Sequence, residues 1–149
     1  MLERFLDGPQ ISTESIIFEA KSYTSGFSDR NYLSTQKYLP HFVEDGGQLP
    51  SILSNKDQEK VNNLIQEIAD ILHLKDGTLK GDIVISEGEP FIIEIAARLS
   101  GGYFCSHEIP LNTGVDFLEN AIKIAIGDPL NKDDLIPKFV NPIAQRYLF

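Results

Sequence analysis

Gly81-Asp82-Ile83-Val84-Ile85-Ser86, then Glu87-Gly88-Glu89, then Pro90-Phe91-Ile92-Ile93-Glu94-Ile95-Ala96, is the stretch whose reading decides the fold. Two runs of β-branched and aromatic residues flank a glycine-containing turn, the pattern of an antiparallel hairpin. A hairpin symmetric about Gly88 places Asp82 directly across from Glu94. Alternation along each strand then predicts two faces. Ile83, Ile85, Phe91, Ile93 and Ile95 form the core side, and Asp82, Val84, Ile92, Glu94 and Ala96 the other, with Arg98 following in phase.

Like charges directly opposite on a sheet destabilise it by a few tenths to about 1 kcal/mol unless something compensates. A bridging cation is one answer. Hard oxygen donors suit Mg²⁺, which takes one or two protein carboxylates and fills its octahedron with water and substrate phosphates. The other answer is structural: one carboxylate at a strand end is merely solvated, and Arg98 pairs with its partner on the surface. Spacing alone leaves both open. A general acid–base pair is disfavoured, because nothing in the pattern pushes the two pKa values apart.

Outward from the hairpin, Ser54-Asn55-Lys56-Asp57 has capping-box spacing with Asp in place of Glu. Val61, Leu64, Ile65, Ile68, Ile71 and Leu72 follow at helical period, predicting an amphipathic helix that ends near Lys75-Asp76-Gly77. Thr113-Gly114-Val115-Asp116 opens a second helix, more deeply buried, with a broad apolar stripe from Phe117, Leu118, Ala121, Ile122, Ile124 and Ala125, closed by Gly127. Upstream, Leu2 to Leu6 is a short mixed segment stopped by Asp7-Gly8-Pro9, and Ile11 to Tyr23 reads as two antiparallel strands joined at Glu19-Ala20-Lys21. Thr24 to Ser54 reads as a long ordered loop with one short strand near His41 to Glu44. The tail carries a last strand, Ile143 to Leu148, and stops without a closing turn, which points to truncation. The expected class is α+β: a mainly antiparallel sheet with two principal helices on one face.

The chain has 149 residues, room for one domain. Its formal charge of −9, with no cluster of basic residues and interleaved aromatics, argues against nucleic acid as a partner. No apolar run is long enough to span a bilayer, and no leader pattern opens the sequence. The single cysteine, Cys105, cannot form an internal bridge and reads as a small buried hydrophobe. A reducing cytoplasm is the expected compartment.

Glu94-Ile95-Ala96-Ala97-Arg98-Leu99-Ser100-Gly101-Gly102, with Asp82 on the preceding strand, resembles the metal-binding signature of ATP-grasp enzymes. In that family an acidic residue on one strand and a Glu on the next hold one or two Mg²⁺ against the ATP phosphates. Three further stretches agree: Glu3 to Pro9 resembles the hinge strand that meets adenine and ribose, Asn112 to Asp116 the start of the closing helix, and Ala144 to Leu148 the strand that ends the domain. The resemblance runs nearly end to end and corresponds to the C-terminal half of an ATP-grasp domain. The other lobe, with its Gly-rich loop and lysines, is not among these residues, so the fragment is expected to need that lobe, from the same or another chain, in order to catalyse.

Carried over residue by residue, the resemblance gives Glu3 and Leu6 contact with the base or ribose, and Val84 packing on adenine. Asp82 and Glu94 bind metal beside the nucleotide, and Arg98 holds a phosphate or the developing acyl-phosphate oxyanion, where a fixed positive charge counts most. Ser100-Gly101-Gly102 permits close approach of substrate. The pattern departs at Ala96, where relatives have Asn, so a second Mg²⁺ lacks a side-chain ligand. The implied function is an ATP-dependent carboxylate–amine ligase acting through an acyl phosphate, with ATP and Mg²⁺ as cofactors and a small-molecule carboxylate as substrate. Relatives with similar motifs include carbamoyl-phosphate synthase large subunits, biotin carboxylases and amino-acid ligases. The alternative is a non-catalytic nucleotide- or metal-binding or assembly module.

Other residues carry weaker signals. His107, His41 and His73 read as structural or exposed. Gln10 and Glu14 either line the nucleotide side or lie on a solvated strand face, and Glu87 and Glu89 flank a turn and face water. No nucleophilic triad order or zinc-ligand spacing is present.

Overall fold

The computed structural model describes residues 3–32, 35–41 and 43–148. Its first hairpin is the predicted one. Strand β1, Gln10–Phe18, turns through Glu19 and Ala20, both at positive φ, into β2, Lys21–Arg30. Two successive left-handed residues make a turn whose twist matches that of the flanking strands.

Beyond Tyr23 the structure departs from the expected loop. β2 continues to Arg30, a short helix α1 occupies Thr35–Tyr38, and the next strand, β3, is Gly46–Leu49 rather than a strand near His41 to Glu44. Phe42, within that expected strand, lies outside the described residues, as does Leu2 of the opening segment. The second half of β2 is polar, yet Ser25 and Ser28 are buried. The reason is a close approach from a distant part of the chain. A Cβ at Gly26 would come within 2.9 Å of the Ile109 and Phe104 side chains, so a residue that lowers strand propensity is what lets those groups pack onto the strand.

Helix α2, Asn55–Ile71, starts where the capping pattern places it: Ser54 Oγ accepts from the Asp57 amide at 3.2 Å and donates to the Asp57 carboxylate at 2.7 Å. It ends short of Lys75, and Ile71 and Leu72 are exposed while Val61, Ile65 and Ala69 are buried. Strands β4, Gly77–Ser86, and β5, Glu89–Ala96, form the second hairpin. A π-helical turn, Phe104–Glu108, runs into α3, Ile109–Thr113. Helix α4, Phe117–Ile126, is capped by Asp116, whose side chain accepts from the Glu119 amide at 3.0 Å, and closed by Gly127. Phe117 and Ala121 of its predicted stripe are buried, whereas Leu118 and Ile122 stand at the surface. After a 3-10 turn at Lys132–Leu135, strand β6 covers Ile143–Arg146. Among the described residues no helix is long and apolar enough to cross a membrane.

The six strands form one sheet in the order β5-β4-β1-β2-β3-β6, with every pair antiparallel. The class is α+β, as expected, but the two principal helices do not share a face. Val61, Ile65 and Ala69 of α2 pack with Ile11, Ile17, Leu79, Ile83 and Ile85. Phe117 of α4 packs with Ile16, Leu49, Phe104, Cys105, Ile109, Val115 and Leu135. Ile16 and Ile17 are neighbours on β1, so these clusters lie on opposite sides of the sheet. Each helix's apolar stripe needs its own apolar surface, and Ile16 and Ile17 supply one on each side of β1. The second cluster covers the sheet at Ile16 and, through Phe104 and Ile109, over Gly26 beside the buried Glu14, and leaves the same face open from Ser12 outward.

Candidate active site

The rest of that face is built by register. Across the strands, Ser28, Ser12, Asp82 and Glu94 form one row, and Gly26, Glu14, Lys80 and Ala96 the next. Asp82 is paired with Glu94, as predicted, though by a different route. The hairpin turns on Glu87 and Gly88, with Ser86 opposite Glu89, and Ile93 is an extra residue that restores the Asp82–Glu94 pairing. The bulge also overturns part of the predicted face. Phe91 now pairs with Val84, away from α2, and Phe91, Ile92 and Ile93 are all at least 40% exposed on this edge strand.

Asp82 is held from three sides. Ser12 Oγ donates to Oδ1 at 2.7 Å, Arg30 Nη1 lies 2.9 Å from Oδ1, and Lys80 Nζ contacts Oδ2. Burial opposes its ionisation, but the Lys80, Ser12 and Arg30 contacts prevail and hold the carboxyl below the usual range. Glu94 is the more exposed partner, 3.9 Å from the same Lys80 ammonium and 3.5 Å from Arg98 Nη2. The two carboxylates therefore converge on one cation, which is a lysine of this chain. The surface pairing of Arg98 with Glu94 that the sequence left open is also present.

The cations that hold the two carboxylates, Arg30, Lys80 and Arg98, line a cleft of about 230 Å³ with Ser12, Ser28, the Ser100–Gly102 loop, Glu44, Glu108, Gln145 and Tyr147. Arg30 also pairs with Glu44 and stacks 5.4 Å from the Tyr32 ring centroid, which fixes its guanidinium. Glu108 is buried and its pKa is raised, first by burial and then by the Glu44 charge. The loop is anchored from beneath and from the side: the Ser100 amide donates to Glu14 Oε1 at 3.0 Å, and Gln145 Nε2 donates to the Gly102 carbonyl at 2.6 Å.

Glu14 is fully buried, not on a solvated strand face, and its Oε2 lacks a hydrogen-bond partner. Burial pushes its pKa up to about 7 against the opposing influence of Ser100, Lys80 and Arg98. Val84, expected to meet adenine, is 1% exposed and offers almost no free surface. Glu3 is exposed and Leu6 half-buried on an extended segment that forms no strand but is tied to β4 by the Ile85 amide donating to the Pro9 carbonyl at 3.0 Å. His107 is exposed and bonded to Ser106, and Cys105 is buried, as read. Glu87 and Glu89 are solvent-exposed and pair with Arg4 at 3.5 Å and Lys60 at 2.7 Å.

Sequence reasoning missed Lys80, Arg30, Glu44 and Glu108. Lys80 was accessible to it, because a residue two positions from Asp82 shares its face. Arg30 and Glu44 carried no such signal, since they reach the cleft only through the β1–β2 pairing and the turn into β3. Among the described residues no group of three or more His, Cys, Asp and Glu side chains could hold a metal. The donor set is two carboxylates, which fits Mg²⁺ with water and phosphate completing the shell, and fits poorly a metal that needs nitrogen or sulfur ligands.

No protein-family model matches the chain, and no curated protein matches it. Solved structures do. The L-amino acid ligase from Bacillus licheniformis superposes with a TM-score of 0.73 at 19% identity over 87% of this chain and 32% of its own. Phosphoribosylglycinamide synthetase from Anaerococcus prevotii gives 0.76 at 16% over 93% of this chain and 34% of its own. A putative ATP-grasp superfamily protein from Archaeoglobus fulgidus gives 0.61 at 17% over 96% and 40%. The chain thus spans about a third of the length of the first two.

Proposed function

From a sheet and helices that share the ATP-grasp fold of these structures, we propose that residues 1–149 are the C-terminal half of an ATP-grasp domain. We further propose that they form the Mg·ATP-binding lobe of an ATP-dependent carboxylate–amine ligase, acting with a second lobe on the same or another chain. The observation that carries the reading is that Asp82 and Glu94 both meet Lys80, and Glu94 also Arg98, two cations that line one cleft beside the Ser100–Gly102 loop.

In that reading Asp82 and Glu94 hold the metal, which neutralises phosphate charge when bound. Lys80 and Arg30 supply fixed positive charge next to it, and Arg98 steadies negative charge building on the transferring phosphoryl group or the acyl-phosphate oxygen. The substrate carboxylate oxygen attacks the γ-phosphorus as the bond to the bridging oxygen breaks and ADP leaves. An amine then adds to the acyl carbon, loses a proton, and phosphate departs. The Ser100–Gly102 loop positions the carboxylate near Arg98, and Glu3 and Leu6 line the base or ribose.

The test uses the full-length protein with pools of small carboxylates and amines, following ADP release. Replacing Arg98 by Met is expected to cut turnover by about 10²-fold or more while leaving nucleotide affinity within a few-fold, since its charge acts on the reacting centre. Nucleotide binding by both proteins with no turnover in any pool would instead support the binding-module alternative.

A further inference from the structure

We propose that Lys80 is a built-in cation of this site, taking the place of a second divalent ion, so that the cleft binds the nucleotide phosphates with one metal ion rather than two. The inference rests on the nucleotide-binding reading and adds to it a residue and a metal count.

Lys80 stands directly across from Ala96 in the β4–β5 pairing, and only a methyl group occupies that partner position. The lysine stem is nearly buried, its side chain 10% exposed, so the ammonium is not a solvated surface charge. It contacts Asp82 and lies 3.9 Å from Glu94, where it neutralises the repulsion expected of two carboxylates placed across adjacent strands. Arg30 and Arg98 lie at the outer sides of the same pair. Asp82 and Glu94 thus meet three cationic side chains. One divalent ion finds carboxylate oxygens here, whereas a second would have to sit against the Lys80 charge with the Ala96 methyl providing no donor. An ammonium is also a compact donor of three hydrogen bonds, suited to phosphate oxygens that approach the cleft.

The experiment counts ions. Full-length protein is titrated with Mn²⁺ in the presence of a nonhydrolysable ATP analogue, and bound Mn²⁺ is measured by electron paramagnetic resonance. One ion per nucleotide is expected for the natural protein. In Lys80→Met, which keeps the stem and removes the charge, analogue affinity is expected to fall at least about tenfold at low free Mn²⁺. It should recover as Mn²⁺ is raised, with the count rising to two. A merely structural lysine would give a loss that Mn²⁺ does not rescue, and that result overturns the proposal. Two ions in the natural protein overturn it also, while leaving the nucleotide-binding reading standing. No analogue binding by the natural protein overturns both. Should Lys80→Met fail to fold, the count on the natural protein still decides.

Discussion

Glu14 shows how much a single side chain can cost a fold that keeps it. Its carboxyl is fully buried, one oxygen accepts the Ser100 amide, and the other has no partner. A group raised from 4.5 to about 7 keeps its proton in the folded protein over a range where the unfolded chain has released it. Below about pH 4 both states are protonated and the side chain adds no pH dependence. As pH rises toward 7 the unfolded state is favoured progressively, and above 7 the full penalty, roughly 3 kcal/mol at 1.4 per pKa unit, is in place. Glu14→Gln keeps the shape and removes the ionisation. Relative to the natural protein it is expected to gain stability at about pH 8 and gain little at about pH 4, read from urea midpoints at both. An equal difference at the two pH values would contradict the burial of this carboxyl. Gln keeps an oxygen for the Ser100 amide, so the anchor of the Ser100–Gly102 loop is expected to survive while the ionisation penalty is removed.

At the scale of elements, what could be read from sequence was whatever is decided locally. The Ser54 cap and the spacing of Val61, Ile65 and Ile68 fix α2, and Asp116 and Gly127 bracket α4, because caps and helical period act within a few residues. The second half of β2 reads as loop in the sequence because its burial comes from Phe104 and Ile109, some eighty residues away, pressing on Gly26. The Asp82–Glu94 pairing emerged from two offsets that cancel: the turn is centred between Glu87 and Gly88, and the bulge at Ile93 returns the missing residue. Sequence shows neither offset, which is why the pair was legible and the faces of Phe91 and Ile93 were not. The placement of α2 has a direct consequence. Ile65 is fully buried, with Cδ1 3.3 Å from where a Cβ on Gly81 would stand, so the helix sits against bare backbone of the strand that carries Asp82. Ile65→Ala is expected to cost about 2–5 kcal/mol, whereas Ile71→Ala, 75% exposed on the same helix, should stay within about 0.5 kcal/mol. Urea denaturation of the two variants checks the contrast, and similar losses from both would place α2 on the sheet by a different face.

Across the whole molecule the sheet is unevenly tied together, and the site spans the uneven part. β1 is hydrogen-bonded along its length to both β2 and β4, and lies between two apolar clusters. β3 meets β2 through only two residue pairs, and β6 hangs from β3. Yet Gln145 and Tyr147 from that far edge line the cleft with Lys80 and Arg98 from the near side, and the Gln145 amide reaches the Gly102 carbonyl. Local opening free energy follows such differences in contact, with weakly tied edges opening well before the core. Amide hydrogen exchange is therefore expected to be slowest across Ile11 to Ile17 and Leu79 to Ile83, and faster by orders of magnitude across Gly46 to Leu49 and Ile143 to Arg146. A ligand that fills the cleft binds only when both sides are in place, so it acts against opening of the edge. With a nonhydrolysable ATP analogue and Mg²⁺ at about a hundred times the dissociation constant, linkage allows up to roughly 2.7 kcal/mol, or about a hundredfold, of added protection. That protection should concentrate in β3, β6 and the Ser100–Gly102 loop and barely alter β1, because β1 opens only with the whole molecule. Protection confined to β4 and β5 would mean that the nucleotide is held by the near side alone and that Gln145 and Tyr147 face a different occupant.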